Sequence, residues 1–186
     1  MCGRYYFADD IEVRDIYRSL GKKYGEDTLK QWKHSGEITP GNVVLTIDSQ
    51  GQPALMRWGY SLFNRNIINT RLESLTEKNY YREDFRQNRC LIVASGFFEW
   101  DENKNKYYIT CETSPFYLAG LYQKTDTLEG FSIITREATQ TRAIHSRCPI
   151  VMDKVSGAQY LNRANLDLLR ELDTQLTWTN TSQALM

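Results

Sequence analysis

The feature that most constrains this chain is a succession of short apolar segments joined by turn signals rather than by helices. Val43 to Ile47 reads as a strand, Asp48-Ser49-Gln50-Gly51 as a turn, and Ala54 to Trp58 as the returning strand. Leu91 to Ala94 is a further short buried strand. Phe97 to Trp100 and Lys106 to Cys111 form a hairpin pattern across the polar stretch 101–105. Phe116 to Tyr122 and Phe131 to Thr135 continue it, and Pro149 to Met152 is a short apolar segment. Strands that follow one another directly pair antiparallel, so the expected fold is α+β, with a mostly antiparallel, barrel-like β core and flanking helices.

Helical spacing is confined to the flanks. Asp9-Asp10 can cap a first helix whose apolar face is Val13, Ile16, Tyr17, Leu20 and Tyr24, with Gly21 and Gly25 weakening its later turns. Residues 77–88 suit a helix, Asp153 opens another, and Asn165 to Leu172 a last one. Residues 177–186 read as a polar tail. With 186 residues, and no repeat or linker, one domain spanning residues 1–186 is expected.

Composition narrows the function classes. No apolar run approaches the ~20 residues of a membrane span, and the start lacks a secretory core, so a cytoplasmic protein is expected. Lys plus Arg and Asp plus Glu both number 23, which argues against nucleic-acid binding by bulk charge while leaving room for a local basic groove. The four cysteines, Cys2, Cys90, Cys111 and Cys148, form no CxxC pair and have no histidine at zinc spacing, so neither a metal site nor a disulfide scaffold is expected.

Cys2 is the residue with the most distinctive chemistry. Removal of Met1 would put an α-amine and a thiol on one carbon frame. The α-amine, with a reference pKa near ~7.7–8.0, is partly neutral at pH 7 and condenses with aldehydes; the thiol can then close a five-membered thiazolidine. Alternatively, the thiol attacks a carbonyl with the amine as base, as in N-terminal nucleophile hydrolases. His145, one of two histidines, can move protons near neutral pH, whereas His34 reads as a surface residue. Glu99, inside Gly96-Phe97-Phe98-Glu99-Trp100, is either a desolvated acid of raised pKa or a carboxylate turned to water by strand alternation. Asn69-Thr70-Arg71-Leu72-Glu73 offers an amide for a developing charge and a guanidinium for a phosphate, or alternatively a buried Arg71–Glu73 pair.

The order of these motifs resembles that of the SOS response-associated peptidase family. Met1-Cys2-Gly3-Arg4 resembles the family's opening, Thr39-Pro40-Gly41 its Ala-Pro-Gly turn, and Arg57-Trp58-Gly59-Tyr60 its Trp-Gly element. Asn69-Thr70-Arg71-Leu72-Glu73 resembles its Asn-Ala-Arg-x-Glu motif and Phe97-Phe98-Glu99-Trp100 its Phe/Tyr-Glu-Trp motif. Ala119-Gly120-Leu121-Tyr122 and Phe131 to Thr135 resemble two of its strands, and His145-Ser146-Arg147-Cys148-Pro149 its His-x-Arg-Met-Pro motif.

That resemblance implies a covalent nucleophile at Cys2 with Asn69, Glu99 and His145 around it, and a groove for single-stranded DNA containing abasic sites. Arg4, Arg71, Trp58, Phe63 and Arg147 would contact the DNA. No metal or organic cofactor is implied, because an aldehyde supplies the electrophile. It implies an accompanying peptidase activity; a monomer is the default expectation, as is a cytoplasmic location, associated with the nucleoid. Two departures stand out: Cys148 replaces the family's usual Met, and Ser61-Leu62-Phe63-Asn64 lacks the Trp that the family carries at the DNA junction, leaving Phe63 as the substitute.

Overall fold

The structure, a computed structural model, describes residues 2–8 and 13–182, and in the first helix side chains from Leu20 onward. The expected caps Asp9 and Asp10 lie outside the described residues. The chain begins with β1 (Tyr5–Phe7), α1 (Val13–Gln31), β2 (Gly36–Ile38), β3 (Val43–Ile47) and β4 (Pro53–Trp58). A small hairpin, β5 (Tyr60–Leu62) and β6 (Arg65–Ile67), leads to β7 (Asn69–Arg71), α2 (Ser74–Glu77) and α3 (Asn79–Gln87). Then come β8 (Arg89–Ala94), β9 (Gly96–Trp100), β10 (Lys106–Thr110), β11 (Phe116–Gln123) and β12 (Gly130–Glu137). Finally come β13 (Arg147–Pro149), β14 (Val151–Met152), α4 (Lys154–Asn162), α5 (Leu166–Glu171) and β15 (Thr177–Asn180).

Strands β12, β4, β3, β8 and β11 pair in sequence, and β11 pairs back to β12, which closes a ring. The hairpin-driven expectation of antiparallel pairing holds except along one edge of β12. There β4 and then β7 run parallel to it, at Phe131↔Trp58 and Ile133↔Asn69. The β5–β6 excursion lets one chain segment serve twice on that edge. Its turn is two residues long, with Phe63 and Asn64 at φ 49° and 59°, the left-handed pair that a right-twisted hairpin needs.

Alternation across the ring strands builds two cores. Trp58, Ile92, Leu118, Phe131 and Ile133 belong to a cluster that also includes Cys2 and Tyr5. Their neighbours Leu91, Ala119 and Ile134 join a second cluster with Tyr81 and Phe85 of α3, Tyr160 of α4 and Leu169 of α5. Strands covered on both faces read as continuous apolar runs, which is why β8, β11 and β12 look so hydrophobic. Arg89 ties the helices to this layer. It is buried, and its guanidinium donates to the carbonyls of Phe85 (2.7 Å), Tyr160 (2.7 Å) and Leu161 (2.8 Å). Asp153 and Asn165 cap α4 and α5, as their positions predict.

A second sheet, ordered β15-β10-β9-β1-β2, holds the N-terminal strand between β9 and β2. It also overturns the reading of residues 177–186 as a polar tail. Residues 177–180 pair with β10 in the register Ile109↔Trp178. An edge strand is held through its backbone and needs no apolar side chains, so its polar composition hid it. Residues 183–186 lie outside the described residues. The helix expected over 77–88 is α3, Asn79–Gln87, with the single turn of α2 just before it.

Trp58 is likewise reassigned. Expected at the DNA surface, it is fully buried, with its ring 5.3 Å from Tyr5 and 6.3 Å from Phe131. Its indole Nε1 donates to the Ile68 carbonyl at 2.9 Å. We expect Trp58→Phe to cost about 1–3 kcal/mol in denaturant unfolding, from the lost ring volume and the lost indole hydrogen bond, although the Ile68 carbonyl keeps the Ile133 amide at 3.0 Å.

Candidate functional site

The site is assembled where the start of the chain meets β9. The register Tyr5↔Phe97 runs antiparallel, and the Phe98 amide donates to the Arg4 carbonyl at 2.9 Å. Strand β9 therefore carries Glu99 back to the first residues. Alternation turns Phe98 and Trp100 to one face and Phe97 and Glu99 to the other, so Glu99 is buried at 3% exposure. Of the two readings open in the sequence, the desolvated acid is the one the fold adopts.

Cys2 is fully buried, with its Sγ 3.9 Å from the Arg4 carbonyl. Asn69, at the head of β7, donates from Nδ2 to the Cys2 carbonyl at 2.8 Å. The same amide's Oδ1 is buried and has no hydrogen-bond partner among the described residues. Cys148 is also buried, and its electrostatic influence reaches Cys2.

The titration behaviour follows from this burial. Desolvation raises the Cys2 thiol well above its ordinary value, with Glu99 and Cys148 adding to the effect. The same cause pushes Glu99 up to about 7 and Cys148 up to about 11. Burial lowers His145. Its Nδ1 accepts from the Arg147 amide at 3.0 Å, which leaves the proton of the neutral ring on Nε2. Both Glu99 and His145 also feel the positive charge of the chain's amino terminus, which lowers each. Burial thus shifts the acidity of Cys2, Glu99, Cys148 and His145, which makes this cluster the candidate functional site.

The expected DNA contacts divide. Arg71 is exposed. Arg4 is partly exposed and pairs with Glu37 at 3.0 Å. Phe63 stands at the tip of the β5–β6 hairpin, 77% exposed, with its ring edge-on to Tyr80 at 5.6 Å. Arg147 is different: its side chain is 12% exposed, and its terminal nitrogens grip Glu73 in two 3.0 Å hydrogen bonds and donate to the Thr135 carbonyl at 2.6 Å. It is thereby a clamp between β13 and the residues after β7, and it replaces the Arg71–Glu73 pair weighed from sequence. That ion pair holds the Glu73 carboxyl below its ordinary range. Tyr80 joins Phe63, and Glu37 and Lys106 join Arg4, by contacts that nothing in their local spacing marks.

Comparison with known proteins gives the chain's family. A family model described as SOS response associated peptidase (SRAP) matches residues 1–185. Abasic site processing protein YobE of Bacillus subtilis is 30% identical over 192 residues, covering 90% of this chain and 84% of its own. Abasic site processing protein HMCES of Xenopus tropicalis is 30% identical over 139 residues, 54% of this chain and 42% of its own. A crystal structure of a protein from Bacteroides thetaiotaomicron matches the fold with a TM-score of 0.76 at 23% identity, covering 95% of this chain and 90% of that one. The chain belongs to the SOS response associated peptidase family.

Proposed function

We propose that this protein captures abasic sites in single-stranded DNA as a covalent thiazolidine on Cys2, after Met1 is removed. The observation that carries this reading is the convergence of Cys2, Asn69 and Glu99, with Asn69 Nδ2 2.8 Å from the Cys2 carbonyl and Glu99 buried and titrating at about 7.

An abasic sugar interconverts between a closed ring and an open aldehyde. Glu99, poised between its two protonation states at neutral pH, transfers the proton that opens the ring. The neutral Cys2 amine adds to C1′, and the carbinolamine loses water to give an imine. His145 carries protons between these steps. Asn69 Oδ1, buried with an open acceptor position, takes a hydroxyl of the sugar. The Cys2 thiol then adds across the C=N bond, its sulfur joining C1′ and its proton ending on nitrogen. One water leaves overall, and no redox change occurs.

The raised pKa of the thiol favours this order over thiol-first hydrolysis. A buried thiol far above its ordinary value supplies little thiolate to attack an amide, whereas the amine needs only to be neutral. Arg4 and Arg71 supply a salt-dependent hold on backbone phosphates, and the exposed Phe63–Tyr80 pair offers a stacking face for a base.

The test is a denaturing gel of Met1-free protein mixed with single-stranded DNA bearing one abasic site, with intact-mass analysis. The expected result is a heat-stable band whose mass equals protein plus DNA minus one water. No band from protein confirmed to lack Met1 would overturn the reading and leave a hydrolase or a plain DNA-binding module.

A further inference from the structure

The sheet face opposite Glu99 gathers cations and aromatic rings. Arg4 lies with its guanidinium 5.6 Å from the Trp100 ring centroid. Lys106, opposite Trp100 on β10, places Nζ 4.0 Å above the Phe98 ring and 5.9 Å from Trp100. Tyr108 packs edgewise on Tyr6 and tilted on Phe98, completing an aromatic floor. One carboxylate spans the two cations. Glu37, on β2, accepts from Arg4 at 3.0 Å through Oε2 and from Lys106 at 2.5 Å through Oε1. All three side chains remain partly solvent-accessible, at 38%, 26% and 39% for Arg4, Lys106 and Glu37.

We propose that Arg4 and Lys106 form a phosphate site on which Glu37 sits in the free protein, so that a DNA backbone phosphate docks by displacing this carboxylate. This rests on the single-stranded DNA reading above.

The chemistry of the arrangement supports it. Two cations from different segments, one just before β1 and one on β10, both standing over rings and both held by the two oxygens of one anion, make a receptor for a group with oxygens of that spacing. A phosphate presents the same two-oxygen edge with a full negative charge. Because the cluster is open to water, the Glu37 pairs are weak enough to exchange. Arg4 is two residues from Cys2 along the chain, so this cluster lies next to the start of the reactive segment. Glu37 also keeps the two cations preassembled and partly neutralised until DNA arrives. A chain with no net charge thus limits non-specific binding while retaining a basic contact.

The experiment compares wild type, Glu37→Gln and Lys106→Gln by fluorescence anisotropy with labelled, undamaged oligothymidylate over a salt series. Thermal melts confirm that each variant is folded. Glu37→Gln is expected to tighten binding about three- to fivefold at low salt, the scale of an exposed ion pair. Lys106→Gln is expected to weaken it and to reduce the slope of log K against log salt by about 0.7, the loss of one single-strand phosphate contact. Wild-type binding with Glu37→Gln unchanged or weaker, or with an unaltered slope in Lys106→Gln, overturns this site alone. Failure of wild type to bind the oligonucleotide overturns the DNA reading, and this inference with it.

Discussion

Cys2→Ala, freed of Met1, is expected to lose the heat-stable DNA adduct while keeping a borohydride-trappable one. The substitution removes the thiol and spares the α-amine, and the two groups act in successive steps. The α-amine of this variant still condenses with the open aldehyde, because its nucleophilicity depends on the amine's own protonation and not on sulfur. The resulting imine hydrolyses on heating, so the denaturing gel shows a loss of about two orders of magnitude or more. Borohydride reduces the C=N bond and restores the band. In the wild type the sulfur sits on the adjacent carbon frame, so ring closure enjoys a very high effective concentration and removes the hydrolysable C=N. A second buried thiol, Cys148, influences Cys2 electrostatically, which makes the opposite result informative. A heat-stable adduct in Cys2→Ala that disappears in the Cys2→Ala/Cys148→Ala double variant would assign the sulfur chemistry to Cys148 and sink the thiazolidine on Cys2.

How far the sequence carried these conclusions depends on the kind of contact. Strands whose order was set by hairpins, such as β3–β4 and β9–β10, were legible because turn residues and alternation act locally. The ring closure was not. It needs β12 to accept β4 and β7 in parallel, and parallel pairing between residues more than 60 positions apart leaves no local mark. Trp58 and Arg147 show the same limit at the level of side chains. Each stands in a motif that suggested DNA contact, yet the indole fills the core and the guanidinium is taken up by Glu73 and Thr135. Strand β15 was lost because an exposed edge strand can be as polar as a tail. Glu99 was ambiguous for a different reason. Period-two alternation says that Glu99 and Trp100 face opposite sides, but not which side is wet.

Glu99→Gln is expected to slow adduct formation by about 10²- to 10³-fold, to alter its pH profile, and to stabilise the fold. Glutamine keeps the shape and cannot donate or accept a proton in the ring-opening step. In the wild type, the acid form of Glu99 is lost above about 7, whereas the Cys2 amine becomes reactive above its pKa of roughly 7.7–8.0. The product of the two fractions is a narrow bell centred between them. Without Glu99 the alkaline limb disappears, and the residual rate rises with pH to a plateau. The stability effect has the opposite sign to the catalytic one. The folded Glu99 titrates at about 7 against an ordinary value of 4.5, so burial penalises its charged form. Below about pH 4.5 the group is neutral whether folded or unfolded, and the penalty is absent. As pH rises towards 7, the unfolded chain ionises more readily, and the wild type loses up to about 3 kcal/mol. The glutamine variant carries no such charge, so the gap in unfolding free energy between variant and wild type opens from near zero at about pH 4.5 to its full size above about pH 7. Urea titrations at the two ends of this range measure it. A variant slower in adduct formation but no more stable at about pH 8 would mean that Glu99 is not desolvated, and a variant as fast as wild type would mean that the acid assigned to ring opening lies elsewhere.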